Sequence, residues 1–153
     1  MKVKVKLEIP IANEIIRSRG LGPGGDAQRF HTENVLKRIK RYMPFLSGEL
    51  YKLTVAQTDI NKPEIVTAAP QAQYLFRGKK MVNAKTGKGP SMIPGVGPRY
   101  RRGTILKATS EPLNYTRTKN PMAGPRWDRA LVASEGSAIA EDLQRYLDRR
   151  KRA

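Results

Sequence analysis

Cysteine is absent from the 153 residues. That excludes a disulfide framework and any thiolate metal site, and it accords with a reducing cytoplasm. Histidine occurs once, at His31. No apolar run approaches the ~20 residues that a membrane-spanning helix needs. The N-terminus alternates basic and apolar residues and lacks the continuous apolar stretch of a secretory signal. Aromatics make up 7% of the chain, and neither an RNP-like basic–aromatic motif nor zinc-finger spacing occurs. Negative charge is scarce as well. Against 30 Lys and Arg stand 13 Asp and Glu, a formal net charge of +17. An imbalance of that size predicts attraction to polyanions. It does not separate a reader of nucleic acid from a protein that merely sits beside packaged DNA.

These shortages weigh against catalysis. A Ser-His-Asp arrangement needs a histidine placed to act as a base. His31 instead falls in the apolar arc of a predicted helix, where it reads as a packing residue or a satisfied polar group. A metal-dependent nuclease needs several converging carboxylates, whereas the acids here are scattered from Glu8 to Asp148. The one adjacent pair, Glu141 and Asp142, reads as helix-surface charge, because sequence neighbours do not face each other on a helix. The chain is therefore expected to be no enzyme, with no catalytic residue, metal or cofactor.

The length suits a single domain over residues 1–153. Its best-defined stretch runs from Gly20 to Leu50. Asp26 follows Gly24 and Gly25 and stands as an N-cap. At about 100° per residue, Ala27, His31, Val35, Leu36, Ile39, Tyr42 and Met43 fall in one arc, opposite Arg29, Glu33, Lys37, Lys40 and Arg41. Pro44 biases Met43 away from helical geometry, so this central helix should stop at about Tyr42. The run Gly20–Gly25 has neither a Gly-Lys-Ser/Thr ending nor GxGxxG spacing, and reads as a hinge rather than a phosphate cradle.

Upstream, Val3, Val5, Leu7 and Ile9 alternate with Lys2, Lys4, Lys6 and Glu8, the pattern of a half-buried strand with a lysine-rich face. Ile11 to Ser18 reads as a short helix. Downstream, Leu50–Thr58 and Glu64–Ala69 read as the strands of an antiparallel hairpin about the turn Asp59–Pro63. Gln71–Phe76 offers one turn of helix. Thr104–Thr109 has strand character, and Lys79–Val82 is placed to pair with it as a ribbon. Pro125 fits the first turn of a C-terminal helix. That helix carries Trp127, Leu131 and Ser134, then Ala138, Leu143, Tyr146 and Leu147, with a kink expected at Gly136–Ser137. The expected class is α+β: an antiparallel sheet packed against the central amphipathic helix and the C-terminal helix, with a long basic loop or β-ribbon.

Residues 78–103 form the expected extended basic loop. They hold six glycines and three prolines, and all seven charged residues are basic. A loop of this length in a compact domain is commonly functional, and its composition predicts ordering on assembly. Its cations, Lys79, Lys80, Lys85, Lys88, Arg99, Arg101 and Arg102, are the candidate contacts with a partner or with DNA. Phe30 lies on the otherwise charged side of the central helix and is the candidate apolar contact with a neighbouring subunit. The tail, 145–153, is strongly basic and is expected to fray.

Four blocks, in order along the chain, carry a resemblance. The first is Gly20-Leu21-Gly22-Pro23-Gly24-Gly25-Asp26, running to Arg29-Phe30. The second, Tyr42-Met43-Pro44-Phe45-Leu46-Ser47-Gly48-Glu49-Leu50, is a helix exit with a proline followed by Ser-Gly and an apolar residue. The third is Ala69-Pro70-Gln71-Ala72-Gln73-Tyr74-Leu75, with Gly78-Lys79 and Val82. The fourth is Pro112-Leu113-Asn114-Tyr115, running into Asn120-Pro121-Met122-Ala123-Gly124-Pro125-Arg126-Trp127-Asp128-Arg129-Ala130. Together they cover most of the chain from Gly20 to about Ala133. In order and spacing they resemble the minor capsid, or neck and tail-completion, proteins of long-tailed (siphovirus-type) bacteriophages. Gln71 departs from the pattern, which would place an aromatic after the proline.

The resemblance implies a structural virion protein of the head–tail junction, made in the bacterial host cytoplasm, that joins the filled capsid to the tail. It implies a homo-oligomeric ring, since a head-to-tail interface closes where the rotation allows. Its implied partners are other neck and tail proteins, namely head-closure, tail-terminator or connector rings. Non-specific contact with packaged DNA is compatible with the charge, and no membrane is implied. A basic nucleic-acid-binding module of ribosomal-protein type is the alternative that shares the charge and the loop.

Overall fold

The chain is α+β, with helices that pack around one core and a β-ribbon carried at one side. The structure, a computed structural model, describes residues 9–45, 47–69, 71–95 and 97–152. The strand expected over Lys2 to Ile9 lies outside the described residues except for Ile9, which opens helix α1 (Ile9–Ser18). The glycine run then folds tightly on itself. The Gly20 carbonyl accepts the Gln28 N–H at 3.0 Å, and a Cβ on Gly25 would lie 2.3 Å from that carbonyl oxygen. The chain's own carbonyl thus sits at the helix start that a phosphate would need, in keeping with a hinge.

The central helix α2 spans Asp26–Ile39. Its N-cap is Gly25 rather than the expected Asp26. The Asp26 carboxylate instead reaches the Arg150 guanidinium at 2.8 Å and accepts the Tyr146 hydroxyl at 3.0 Å. The helix ends three residues before the expected Tyr42. Its last turn tightens, with Tyr42 N–H donating to the Ile39 carbonyl at 3.0 Å, and this tucks Tyr42 and Met43 into the core. Ala27, Leu36 and Ile39 are buried as their periodicity requires, and two polar residues, Gln28 and Thr32, are buried beside them.

The expected hairpin over 50–69 does not form. Glu49–Gln57 is helix α3, and among the described residues Glu64–Ala69 pairs with no strand. A short apolar run fits either period, and here tertiary packing selects the helix. Leu50 and Thr54, one turn apart, are the buried pair, and the Thr54 hydroxyl donates back to the Leu50 carbonyl at 2.8 Å or meets Thr67 at 2.8 Å. Side chains stand where ladder partners would. Thr58 Oγ1 accepts the Val66 N–H at 3.2 Å. The Gln57 amide accepts the Ala68 N–H at 2.7 Å and donates to the Ala68 carbonyl at 3.0 Å.

Helix α4 (Ala72–Arg77) matches the expected turn over Gln71–Phe76 to within a residue. Gly78 ends it with φ +71°, and a Cβ there would also lie 2.7 Å from Pro125 Cβ, so both backbone angle and space demand glycine. Strand β1 (Lys79–Asn83) follows, then β2 (Ser91–Ile93), β3 (Gly97–Arg99) and β4 (Leu106–Pro112). Strands β1 and β4 pair antiparallel from Lys79↔Pro112 to Asn83↔Leu106, the ribbon expected of Lys79–Val82 with Thr104–Thr109, shifted toward Pro112 on the second strand. Strands β2 and β3 form a second two-stranded ribbon.

The C-terminal helix α5 runs without interruption from Trp127 to Arg152, through the kink expected at Gly136–Ser137 and through most of the tail expected to fray. The Arg150 guanidinium holds the far end, donating to the Ser18 carbonyl at 3.1 Å as well as pairing with Asp26. Pro125 stands before α5 rather than in its first turn. Asn120 donates to the Lys40 and Met43 carbonyls at 2.7 and 2.9 Å, and Gly124 N–H to the Tyr42 carbonyl at 3.3 Å. These bonds bind the approach to α5 onto the end of α2. Arg126 is then forced to φ +49°, where its N–H meets the Phe76 carbonyl at 2.9 Å and its guanidinium lies 4.9 Å from the Phe76 ring centre. The core gathers Ile39, Tyr42, Met43, Leu50, Ala72, Trp127, Leu131 and Ile139, with Trp127 edge-on to Phe76 at 4.9 Å. Ser134, expected on the Trp127 face, is exposed.

Candidate functional site

Residues 79–112 make an arm that enters and leaves the helical body at one point. Leu113 N–H donates to the Gly78 carbonyl at 2.9 Å, so the two ends of the arm are adjacent. Asn83 builds the bend after β1: its carboxamide oxygen accepts the N–H groups of Lys85 and Thr86, and its carbonyl accepts that of Gly87. Tyr100 ties the second ribbon to the first by donating to the Met81 carbonyl at 2.6 Å. Burial pushes the Tyr100 and Tyr74 hydroxyls above their ordinary range, which marks the packed base of the arm. The outer parts are open, with Met92 73% and Ile105 67% exposed.

The seven cations singled out from sequence all lie on this arm, and all are exposed. Among the described residues only Lys80 of the seven has an ion-pair partner, Glu111 at 2.8 Å, which holds that carboxyl below its usual range. Lys79 reaches the Ser110 carbonyl at 3.4 Å and Arg99 the Pro98 carbonyl at 3.2 Å. Lys79 and Lys80 lie in β1 and Arg99 in β3. Lys85 and Lys88 flank the bend after β1, and Arg101 and Arg102 stand in the turn before β4. Lys107 in β4 extends the same charge. Phe30 lies elsewhere. Its ring stacks on Tyr146 of α5 at 4.4 Å and 12°, so within one chain an aromatic already covers a face of it.

The helical body handles charge differently. Arg38 of α2 donates to Glu135 at 2.5 Å and to Asp142 at 2.6 Å, across to α5. Tyr42 donates to Glu135 at 2.9 Å, and Asn34 and Arg145 donate to Asp142 at 2.9 and 2.6 Å. The hydrogen bond from Arg38 holds the Glu135 carboxyl below the usual carboxylate range. Those from Asn34 and then Arg38 do the same for Asp142. Asp142, read from sequence as surface charge, is thus a bridge between helices. Its spacing from Glu135, two turns of one helix, was the available signal. Among the described residues no cluster of three or more His, Asp or Glu could hold a metal ion, and no helix is long and apolar enough to cross a membrane.

His31 is half-buried, and its Nδ1 is buried without a hydrogen-bond partner among the described residues; the expected packing role is met, the expected satisfaction is not. No family model matches the chain, and no curated relative or solved structure matches it.

Proposed function

We propose that this chain is a structural, non-catalytic virion protein of a bacteriophage head–tail junction, working in a ring that joins the filled capsid to the tail. The observation that carries the reading is a convergence. Three of the four resembling blocks meet at one node, where Tyr42 and Met43 bind Gly124 and Asn120, Leu75 binds the Tyr115 hydroxyl, and Gly78 packs on Pro125. These contacts support the reading by placing three of the resembling blocks at one joint. The basic arm leaves the body at that joint, so a helical wall can carry a projection toward a neighbouring ring or toward DNA.

Electron microscopy with gold-labelled antibody on particles from a producing culture tests the proposal. Label at the head–tail junction is the expected result. Label missing from particles, with the protein recovered on nucleic acid from the lysate, would favour the second reading, a basic nucleic-acid-binding module. The arm's exposed cations support that alternative.

A further inference from the structure

An open groove of about 970 Å³ lies between α2, the start of α5 and the segment Pro63–Ala69. Apolar side chains, among them Val35, Ile65, Phe76, Leu131 and Val132, line it. Among the described residues its charged lining residues are Glu64 and Asp128, both exposed, with no Lys or Arg, although the chain carries a net +17. His31, with its unpartnered Nδ1, lines the same groove.

The wall formed by Pro63–Ala69 behaves as a strand with one edge taken. N–H groups of alternate residues, Val66 and Ala68, are held by the side chains of Thr58 and Gln57. Along an extended chain the intervening residues point their N–H and C=O groups to the opposite edge. The N–H groups of Ile65 and Thr67 have no hydrogen-bond partner among the described residues, and both residues line the groove while Val66 does not. An edge of this kind beside an apolar groove is what an added β-strand binds.

We infer that the groove receives the N-terminal segment Lys2–Glu8 of a second copy of this chain, added as a strand along Pro63–Ala69. Each segment has seven residues, so each spans about 23 Å when extended. Val3, Val5 and Leu7 supply one apolar face for the groove, and Lys2, Lys4 and Lys6 bring positive charge to a lining whose charged members among the described residues are acidic. Along the chain, helix α1 stands between this segment and the body, with Ile15 50% and Ile16 42% exposed, and among the described side chains of α1, Glu14–Ser18, none lines the groove. The ten residues of α1 span about 15 Å from Ser18, whose carbonyl binds Arg150, to Ile9, a length that suits an arm exchanged between copies. The inference takes from the proposed function only the premise that copies of the chain assemble.

The absence of cysteine allows a direct test. Full-length chains carrying Val3→Cys, Val5→Cys or Leu7→Cys are mixed with a larger tagged chain carrying Ile65→Cys and oxidised. A disulfide-linked tagged–untagged dimer in at least one mixture is the expected result. No link in any mixture, or a link only when both cysteines share a chain, overturns the inference. Sedimentation gives a second readout: removing residues 2–8, or the change Ile65→Pro that deletes an open-edge donor, should shift the assembled species to monomer. Assembly equal to the unaltered chain in both variants, or a full-length chain that stays monomeric at high concentration, overturns it too. Failure of these links alongside antibody label at the head–tail junction would refute the strand exchange and leave the junction reading intact.

Discussion

The helical body and the arm carry charge of the same sign and treat it in opposite ways. In the body, Arg38 spans from α2 to two carboxylates of α5, and Arg150 closes α5 onto Asp26. In the arm, among the described residues, Lys80 alone of the seven named cations meets an acid. Paired charges between helices, with about a quarter of the Arg38 side chain still exposed, fix how α2 lies on α5 more than they add stability. Exposed cations on a ribbon repel one another and gain from an external anion. One region uses charge to define itself, the other presents it.

The largest expected effect breaks the body and spares the arm's chemistry. Trp127→Ala should cost about 3–5 kcal/mol by leaving a cavity beside Phe76, Leu131 and Met43. Chemical denaturation with the Trp-free signal of far-UV dichroism checks it, and an unchanged midpoint would remove Trp127 from the core. Excising residues 79–112 should do the reverse. The adjacent Gly78 and Leu113 can be joined by a short turn, and the unfolding temperature should then shift by only about 4–8 °C or less, the effect of about 1 kcal/mol. A collapse of the fold would show that the arm belongs to the core.

Next in size is the arm's own function. Replacing Lys85, Lys88, Arg99, Arg101 and Arg102 with Gln should weaken binding to heparin or duplex DNA by about tenfold or more, and flatten the salt dependence by up to ~0.9 per lost phosphate contact. Fluorescence anisotropy at several salt concentrations measures both. Equal salt slopes before and after would put the polyanion elsewhere.

A smaller effect comes from the bridge between helices. Arg38→Met should cost about 1–2 kcal/mol, discounted for solvent at the pair's edge. Glu135 and Asp142 have folded-state carboxyls held below the ordinary range. Their contribution is therefore complete above the unfolded carboxylate range and is lost as pH falls through the depressed folded values, in the window below about pH 4. Melting curves between neutral and acid pH should show a steeper acid loss for the native chain than for Arg38→Met; parallel curves would mean the bridge is not what titrates. The smallest effect is at Phe30, where Phe30→Ala should remove a stack of about 0.5–1.5 kcal/mol with Tyr146. If that change leaves melting untouched but impairs assembly, the ring faces a neighbour rather than its own helix.

Local rules made much of the architecture readable. The 3.6-residue period placed Ala27, Leu36 and Ile39 inside, and the ribbon expected between Lys79–Val82 and Thr104–Thr109 forms as β1 with β4. The cations of the candidate site were readable as composition, and among the described residues all seven stand exposed. The misread region, 50–69, failed for a definite reason. Tyr51, Leu53 and Val55 alternate as in a strand, yet Gln57 and Thr58 bond to Ala68 and Val66 through side chains, and no period reports such a substitute for a ladder. The bridge from Arg38 to Glu135 joins residues 97 apart in sequence, a pairing that no local pattern specifies.

By itself, the sequence determined what depends on neighbours along the chain: the buried face of the central helix, the short helix before Gly78, and a surplus of positive charge gathered between residues 78 and 103. Only the tertiary structure decided that Glu49–Gln57 is helical, that Phe30 lies on Tyr146, and that a groove lined by Glu64 and Asp128 opens beside Pro63–Ala69. Each of these rests on contacts between distant residues. Their free energy outweighs local propensities of a few tenths to about 1 kcal/mol per residue.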